Sequence, residues 1–584
     1  MSTCCRHPRR SIIQLIYLII VLWLIPSLSL IGTPDKVAED KILGSESLLS
    51  AHSTDGKFHG VVGGNDDSET GKSNLFKRVT EGLPPNGSFA VRGPLLITDS
   101  DSDGLVELGT VGGNESHPVL HFWEFQLNNS FRHISVELKN GTLNSDLLRT
   151  DFQGDGFMDI VQGGTTGLSG CGNFSYIENV SFTPQISATP LAAGDVDANG
   201  YLDVYMNTYI GIDGGAPYIY RNLNGTFLDG RGWKSGLYPY DDPSHNAWYV
   251  NRAKFVDLNG DGWLDLATTM GNGNPWAQQP PSTGWYVWFS TGRGVWLNAS
   301  SGIPSGTWGW DLDTYDINND GFPELFLLWV NPTTNFASLA VYRFNTSLEK
   351  WDSIGGIRPE GGGYFALGDL DGDGEVDIVT FSVVKNYNGT ELESYNITLK
   401  VFFKEKGKLS WRGTPIEVVP YTGLPTSIEL CDLNQDGMLD IVMGTSHLRT
   451  SPIYPYYVTI GDICCWLNNM TPRHKLRFRE GFEGRVFRGG MVTEARWLAA
   501  GEGGTFNLSI SVSGRDGPYY RLKSGVRTRM VYWRVPDVPT ENGYLRLEWR
   551  NYSVVSGPFR IIGRDDSRSL VEILRPEEGE TLVE

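Results

Sequence analysis

The sequence predicts an all-β protein in which a seven-bladed β-propeller is followed by a small β-sandwich. Three observations carry this expectation. A nine-residue acidic phrase starts at Asp99, Asp151, Asp195, Asp257, Asp316, Asp369 and Asp432, and a repeat on this scale belongs to propellers and related arrays. Every copy feeds a short apolar run of strand length, such as Ile160-Val161 or Ile441-Val442-Met443, rather than a helix. Beyond about residue 485 the phrase stops, and segments such as Phe506-Asn-Leu-Ser-Ile-Ser-Val512 alternate like sandwich strands.

In chain order, the first element is an export signal. Arg9-Arg10 precede an apolar stretch from Ile12 to Ile25, with Pro26 and small residues behind it. This matches a secretory signal peptide within residues 1–32. An uncleaved signal anchor is the alternative, because the apolar character extends to Ile31. Both readings place the remaining chain outside the cytosol, and in the second this segment is the only membrane attachment. Residues 33–75 are polar, acidic and rich in Gly and Ser, which predicts a disordered leader. Fourteen Asn-X-Ser/Thr sequons run from Asn86 to Asn551 with none inside an acidic phrase, as expected of a secreted or cell-surface glycoprotein. Cys4 and Cys5 precede the apolar run. Cys171, Cys431, Cys464 and Cys465 allow three pairings that the sequence does not rank.

With 584 residues the chain is long enough for two or three domains. Its 71 Gly and 18 Trp suit a turn-rich β protein, and a formal charge of −20 argues against nucleic acid as a partner.

Residues 76–485 are expected to form the propeller. In the acidic phrase, positions one, three, five and nine carry oxygen side chains, position six is Gly, and position seven offers its backbone carbonyl. Ca²⁺ takes six to eight oxygens, and a sharp turn lets one short loop supply most of them. The expected ligands are Asp99, Asp101, Asp103, Leu105 and Glu107 in the first copy, and Asp151, Gln153, Asp155, Phe157 and Asp159 in the second. The third offers Asp195, Asp197, Asn199, Tyr201 and Asp203, and the fourth Asp257, Asn259, Asp261, Trp263 and Asp265. The fifth offers Asp316, Asn318, Asp320, Phe322 and Glu324, and the sixth Asp369, Asp371, Asp373, Glu375 and Asp377. The seventh offers Asp432, Asn434, Asp436, Met438 and Asp440. Up to seven Ca²⁺ ions follow. An EF-hand would place Glu at position twelve, and no copy does. Gln153 predicts a weaker second site. The four ligand carboxylates in the first and sixth copies predict the tightest ones.

Each unit shares one template: a strand into the loop, a strand out of it, then one or two more. In the third unit these are Leu191-Ala-Ala-Gly, Val204-Tyr-Met, Pro217-Tyr-Ile-Tyr220 and Thr226-Phe-Leu228. Such small sheets cannot bury both faces alone, but seven packed radially can. The repeated acidic phrase, Gly215-Ala216-Pro217, Tyr220-Arg-Asn-Leu-Asn-Gly-Thr-Phe227 and Phe76-Lys-Arg-Val-Thr-Glu-Gly-Leu83 together resemble the FG-GAP/VCBS repeats of integrin-α-like propellers. The resemblance covers roughly residues 76–480 and implies a fold more than a function.

Residues 486–563 are expected to form the sandwich. Trp533-Arg-Val-Pro536, Tyr544-Leu-Arg-Leu-Glu-Trp549 and Ser556-Gly-Pro-Phe559-Arg-Ile-Ile562 resemble a KNH-type Ig-like module of secreted cell-wall proteins. Residues 564–584 form a tail or the start of a further module.

No G-x-S-x-G, H-E-x-x-H or P-loop occurs, and His121, His133 and His245 suit structural roles. Ten of the eighteen Trp lie between Trp233 and Trp329. They are either core between blades or stacking platforms for sugars. The functional expectation is a calcium-binding adhesion or recognition protein with a glycan or an extracellular protein as ligand. The alternatives are a carbohydrate-active enzyme, a polysaccharide lyase or glycosidase, and a structural component of a matrix or wall.

Overall fold

The computed structural model describes residues 75–564 apart from short internal segments, of which 273–283 is the longest. The expected signal segment, nearly all of the leader and the tail lie outside the described residues. Among the described residues every regular element is a β-strand, and no helix is long and apolar enough to cross a membrane.

The sixth unit illustrates the repeat. Strands Phe365–Gly368, Asp377–Asn388, Glu391–Lys404 and Trp411–Tyr421 pair antiparallel in chain order, with the acidic phrase connecting the first to the second. Similar meanders occupy residues 96–137, 147–183, 188–229, 248–298, 309–357 and 424–468. The last takes a further strand from the other end of the chain. Phe76–Val79 pairs antiparallel with Ile463–Asn468, in the register Phe76 to Asn468 and Val79 to Cys465. The second and third meanders also join edge to edge, where Phe227–Asp229 runs parallel to Tyr176–Thr183.

The meanders form a closed β-propeller because each buries both faces against its neighbours. Strand Glu324–Val330 makes the reason plain. Successive strand residues point to opposite faces. Leu325 and Leu327 therefore join Leu312 in a core with Ala267, Trp285 and Val287 of the fourth meander. Phe326 and Leu328 face the other way, into a core with Phe365, Leu367 and Ile378 of the sixth. A strand buried on both sides is apolar without interruption, as Leu-Phe-Leu-Leu is here. The same construction links the first meander to the second, the second to the third, the third to the fourth, and the sixth to the seventh. The ring closes where Leu108, Trp123 and Phe125 pack on Val442, Cys465 and Leu467.

Beyond the ring, two further sheets share one core. The smaller contains Leu476–Phe478, Val492–Ala499 and Met530–Arg534; the larger contains Val486–Arg488, Phe506–Ser511, Tyr520–Val526, Thr540–Trp549, Tyr552–Val555 and Phe559–Ile562. Trp497 and Trp533 from the first meet Phe506, Leu508, Leu547, Trp549 and Phe559 from the second. Leu476–Phe478, in the stretch read as propeller, hydrogen-bonds to Val492–Ala499 of this sandwich. Ala198, from the third acidic phrase, is part of the same core.

Of the tryptophans between Trp233 and Trp329, Trp233, Trp285, Trp288 and Trp296 are buried in cores between meanders. Trp329 packs partly against such a core and Trp263 against the core of the sandwich, whereas Trp276 and Trp308 lie outside the described residues. Cys171, Cys431 and Cys465 are free thiols, and Cys464 Sγ lies 4.0 Å from Arg78 Nη2.

Candidate metal centres

All seven acidic phrases connect consecutive strands of a meander, and all seven adopt one conformation. The Gly at position six has positive φ in every copy, from 82° at Gly262 to 98° at Gly104. Position four is left-handed too, including at the non-glycines Ser102, Ala198, Asn319 and Gln435. This second bend is not announced by the sequence, because side chains there carry a steric cost. One oxygen of the position-one carboxylate accepts the amide of the position-six Gly in all seven copies, at 2.7–3.1 Å. The side chain at position five accepts the amide of position seven throughout, at 2.7–2.9 Å.

Position nine has a structural task beyond its expected one. Its carboxylate accepts the position-two amide in every copy, at 2.5–2.9 Å. In Asp159, Asp203, Asp265, Asp377 and Asp440 the second oxygen accepts the amide of the last residue of another strand of the same meander. The residue thus ties loop to sheet. In Glu324 the second oxygen accepts from Arg343 Nε at 2.7 Å. In Glu107 that oxygen is buried and has no hydrogen-bond partner.

Three copies bring carboxylates together. Asp99, Asp101, Asp103 and Glu107 converge in the first, Asp195, Asp197 and Asp203 in the third, and Asp369, Asp371 and Asp377 in the sixth, with ligand oxygens within 4.8 Å of one another. Oxygens around one Ca²⁺ lie about 2.4 Å from it, so two on opposite sides are about 4.8 Å apart. These spacings fit that ion. Asn or Gln at position three leaves the second, fourth, fifth and seventh copies without such a carboxylate group among the described residues.

The electrostatics of the first loop point the same way. Burial, then Asp103 and Asp101, push the Asp99 carboxyl up to about 8. Burial and Asp99 raise Glu107 as well. Asp99 Oδ1 and Glu107 Oε1 are both buried without a partner, and a buried carboxylate oxygen left unpaired is costly. No lysine or arginine ion-pairs with these four acids among the described residues. In the sixth loop, burial and then neighbouring carboxylates push Asp377 up to about 8. That loop also meets two arginines: Arg477 Nη1 donates to Asp369 Oδ2, and Arg473 lies 3.8 Å from Asp371.

The sandwich sits on this acidic rim. The Val492 amide donates to Asp195 Oδ2 at 2.8 Å, Arg534 to the Asn199 carbonyl at 3.1 Å, and Arg488 to the Asp261 carbonyl at 3.0 Å. Gly501 donates to the Gln435 carbonyl at 2.9 Å. Beneath it, Arg149 of the second meander pairs with Glu494 of the sandwich at 3.0 Å.

Two positioning residues escaped sequence reasoning. Buried Asn222 donates from Nδ2 to the Phe152 carbonyl of the preceding loop at 2.8 Å, and Asn468 donates likewise to Leu370. Each also accepts, through Oδ1, an amide two or three residues further on. The signal was present as Asn in Tyr220-Arg-Asn222 and Trp466-Leu-Asn468, two residues after a buried aromatic. His121 Nδ1 and His133 Nε2 lie 2.9 Å apart beside Trp123, and His245 lies outside the described residues.

Fold and loops together define a β-propeller built from acidic-loop repeats. A model of the FG-GAP-like repeat matches residues 257–327 and 316–380, and each match begins on the first Asp of a phrase. No curated protein matches the chain. Among solved structures, one described as the Dos1 propeller is similar at 8% identity and a TM-score of 0.34, covering 67% of this chain and 97% of that one.

Proposed function

We propose that this is an exported, calcium-stabilised glycoprotein that acts in adhesion or recognition, with a glycan or an extracellular protein as ligand. The observation that carries the metal reading is the first loop, where four carboxylates converge and two buried oxygens lack partners. Asp99, Asp101, Asp103 and Glu107 would hold the ion there, with Asp195, Asp197 and Asp203 forming a second site and Asp369, Asp371 and Asp377 a third. A bound ion would neutralise the crowded carboxylates and fix the loop; its role is structural. Because the sandwich covers the acidic rim, a ligand would approach the opposite rim of the ring.

Thermal unfolding with calcium and with a chelator tests the metal reading. Ligand binding to the native state alone stabilises it by RT ln(1 + [L]/Kd), about 2.7 kcal/mol per site at a hundredfold excess over Kd. A melting temperature that calcium leaves unchanged would sink it. Binding of the glycosylated protein to glycan arrays and to extracellular protein panels tests the recognition role, and loss of binding on chelation would tie the two together.

A further inference from the structure

We infer that Arg477 makes the sixth acidic loop a low-affinity cation site and leaves the first loop as the high-affinity one. This rests on the metal reading above. Counting carboxylates in the sequence ranks the two loops together, since each phrase carries four ligand acids, although four converge in the first loop and three in the sixth. Their surroundings separate them.

Arg477 lies at the junction between propeller and sandwich, on the strand Leu476–Phe478. Its Nη1 donates to Asp369 Oδ2 and its Nη2 to the Asp369 carbonyl at 3.2 Å. Asp369 is buried, and Oδ2 also takes the Gly374 amide at 2.9 Å. Arg473 stands 3.8 Å from Asp371, and Lys404 pairs with Glu375 of the same phrase. The sixth loop therefore has cations supplied by the chain itself. A guanidinium on the first ligand lowers the charge that the loop offers a metal, and it repels a divalent ion on the other side of that carboxylate. The repulsion acts near a buried group, where water screens it weakly. The two orienting hydrogen bonds from Arg477 work in the opposite direction, but they steady a single ligand, whereas the guanidinium charge opposes a divalent ion directly. Among the described residues the first loop has no such cationic partner, and two of its oxygens are buried and unpaired.

The ranking can be read in the unaltered protein. Hydrogen exchange followed through a calcium titration should protect residues 99–107 at calcium concentrations at least tenfold below those that protect 369–377. Equal midpoints, or the reverse order, would overturn the inference. Absence of calcium-dependent protection in every loop would instead overturn the metal reading beneath it. Arg477→Gln gives an independent check with a sign that a merely supporting role would not produce. Removing a support should weaken calcium binding at the sixth loop, whereas removing a competing charge should tighten it tenfold or more, and Arg477→Lys should keep it weak. Weaker or unchanged binding in Arg477→Gln would refute the assignment.

Discussion

Gln435 donates from its side-chain amide to the carbonyl of Gly104 at 2.8 Å, joining the seventh acidic loop to the first across the point where the ring closes. Its Oε1 accepts from Arg529 at 3.2 Å, and its own carbonyl accepts the Gly501 amide. One side chain at position four thus holds three parts of the molecule together. Gln435→Ala should lower stability by about 1–3 kcal/mol, because buried partners lose their hydrogen bonds. Urea unfolding checks this, and a smaller effect would mean that water replaces the lost contacts.

Ser102 occupies the equivalent place in the first loop with φ near 60°. A non-glycine there bears about 1–2 kcal/mol of steric cost, and Gly would relieve it while adding entropy to the unfolded chain. Ser102→Gly should therefore raise stability by up to about 1 kcal/mol, seen as a higher melting temperature. A fall would show that the left-handed bend is not strained.

Asp265 accepts the amides of Leu258 at 2.9 Å and Ser290 at 2.8 Å. Asp265→Asn turns one acceptor into a donor facing an N–H. It should cost about 1–3 kcal/mol even in the presence of a chelator. An effect confined to calcium-containing buffer would make this carboxylate a metal ligand and not a brace.

Glu494 sets a pH dependence. Burial works against its ionisation, but Arg496 and Arg149 outweigh it and hold the carboxyl down to about 2. An ordinary Glu ionises near 4.3. The folded value is the lower one, so the contribution is complete above pH 4.3 and is lost as pH falls from about 4.3 to 2. It amounts to up to about 3 kcal/mol. Stability measured at pH 5 and at pH 2.5 in the wild type and in Glu494→Gln isolates it: the gap between the two proteins should narrow on acidification.

Much of the ring was legible because its signals are local. The spacing of oxygens in each phrase and the unbroken apolar run Leu325-Phe326-Leu327-Leu328 follow from a tight turn and a strand buried on both faces. Contacts made through space were not legible. Nothing near Val492 announces that its amide meets Asp195, and nothing around Gln435 names Gly104. The tryptophan-rich stretch was ambiguous because core and sugar platform draw on the same side chain; burial of Trp285, Trp288 and Trp296 assigns these three to the core. Position nine was legible as an acid, but its amide-bracing role depends on the end of another strand of the meander, whose register no local pattern specifies.

Arg78, on the strand that completes the seventh meander, reaches Cys464 across 386 residues of chain. A ribosome adding about 5–20 residues per second needs roughly 20–80 s to make that intervening length. During that interval the outermost strand of the finished ring has emerged while its partner does not yet exist. The seventh meander can only assemble once both ends are present, so the nascent protein passes through an open horseshoe with two raw sheet edges. Nascent chains of this design depend on whatever shields those edges until the gap is sealed.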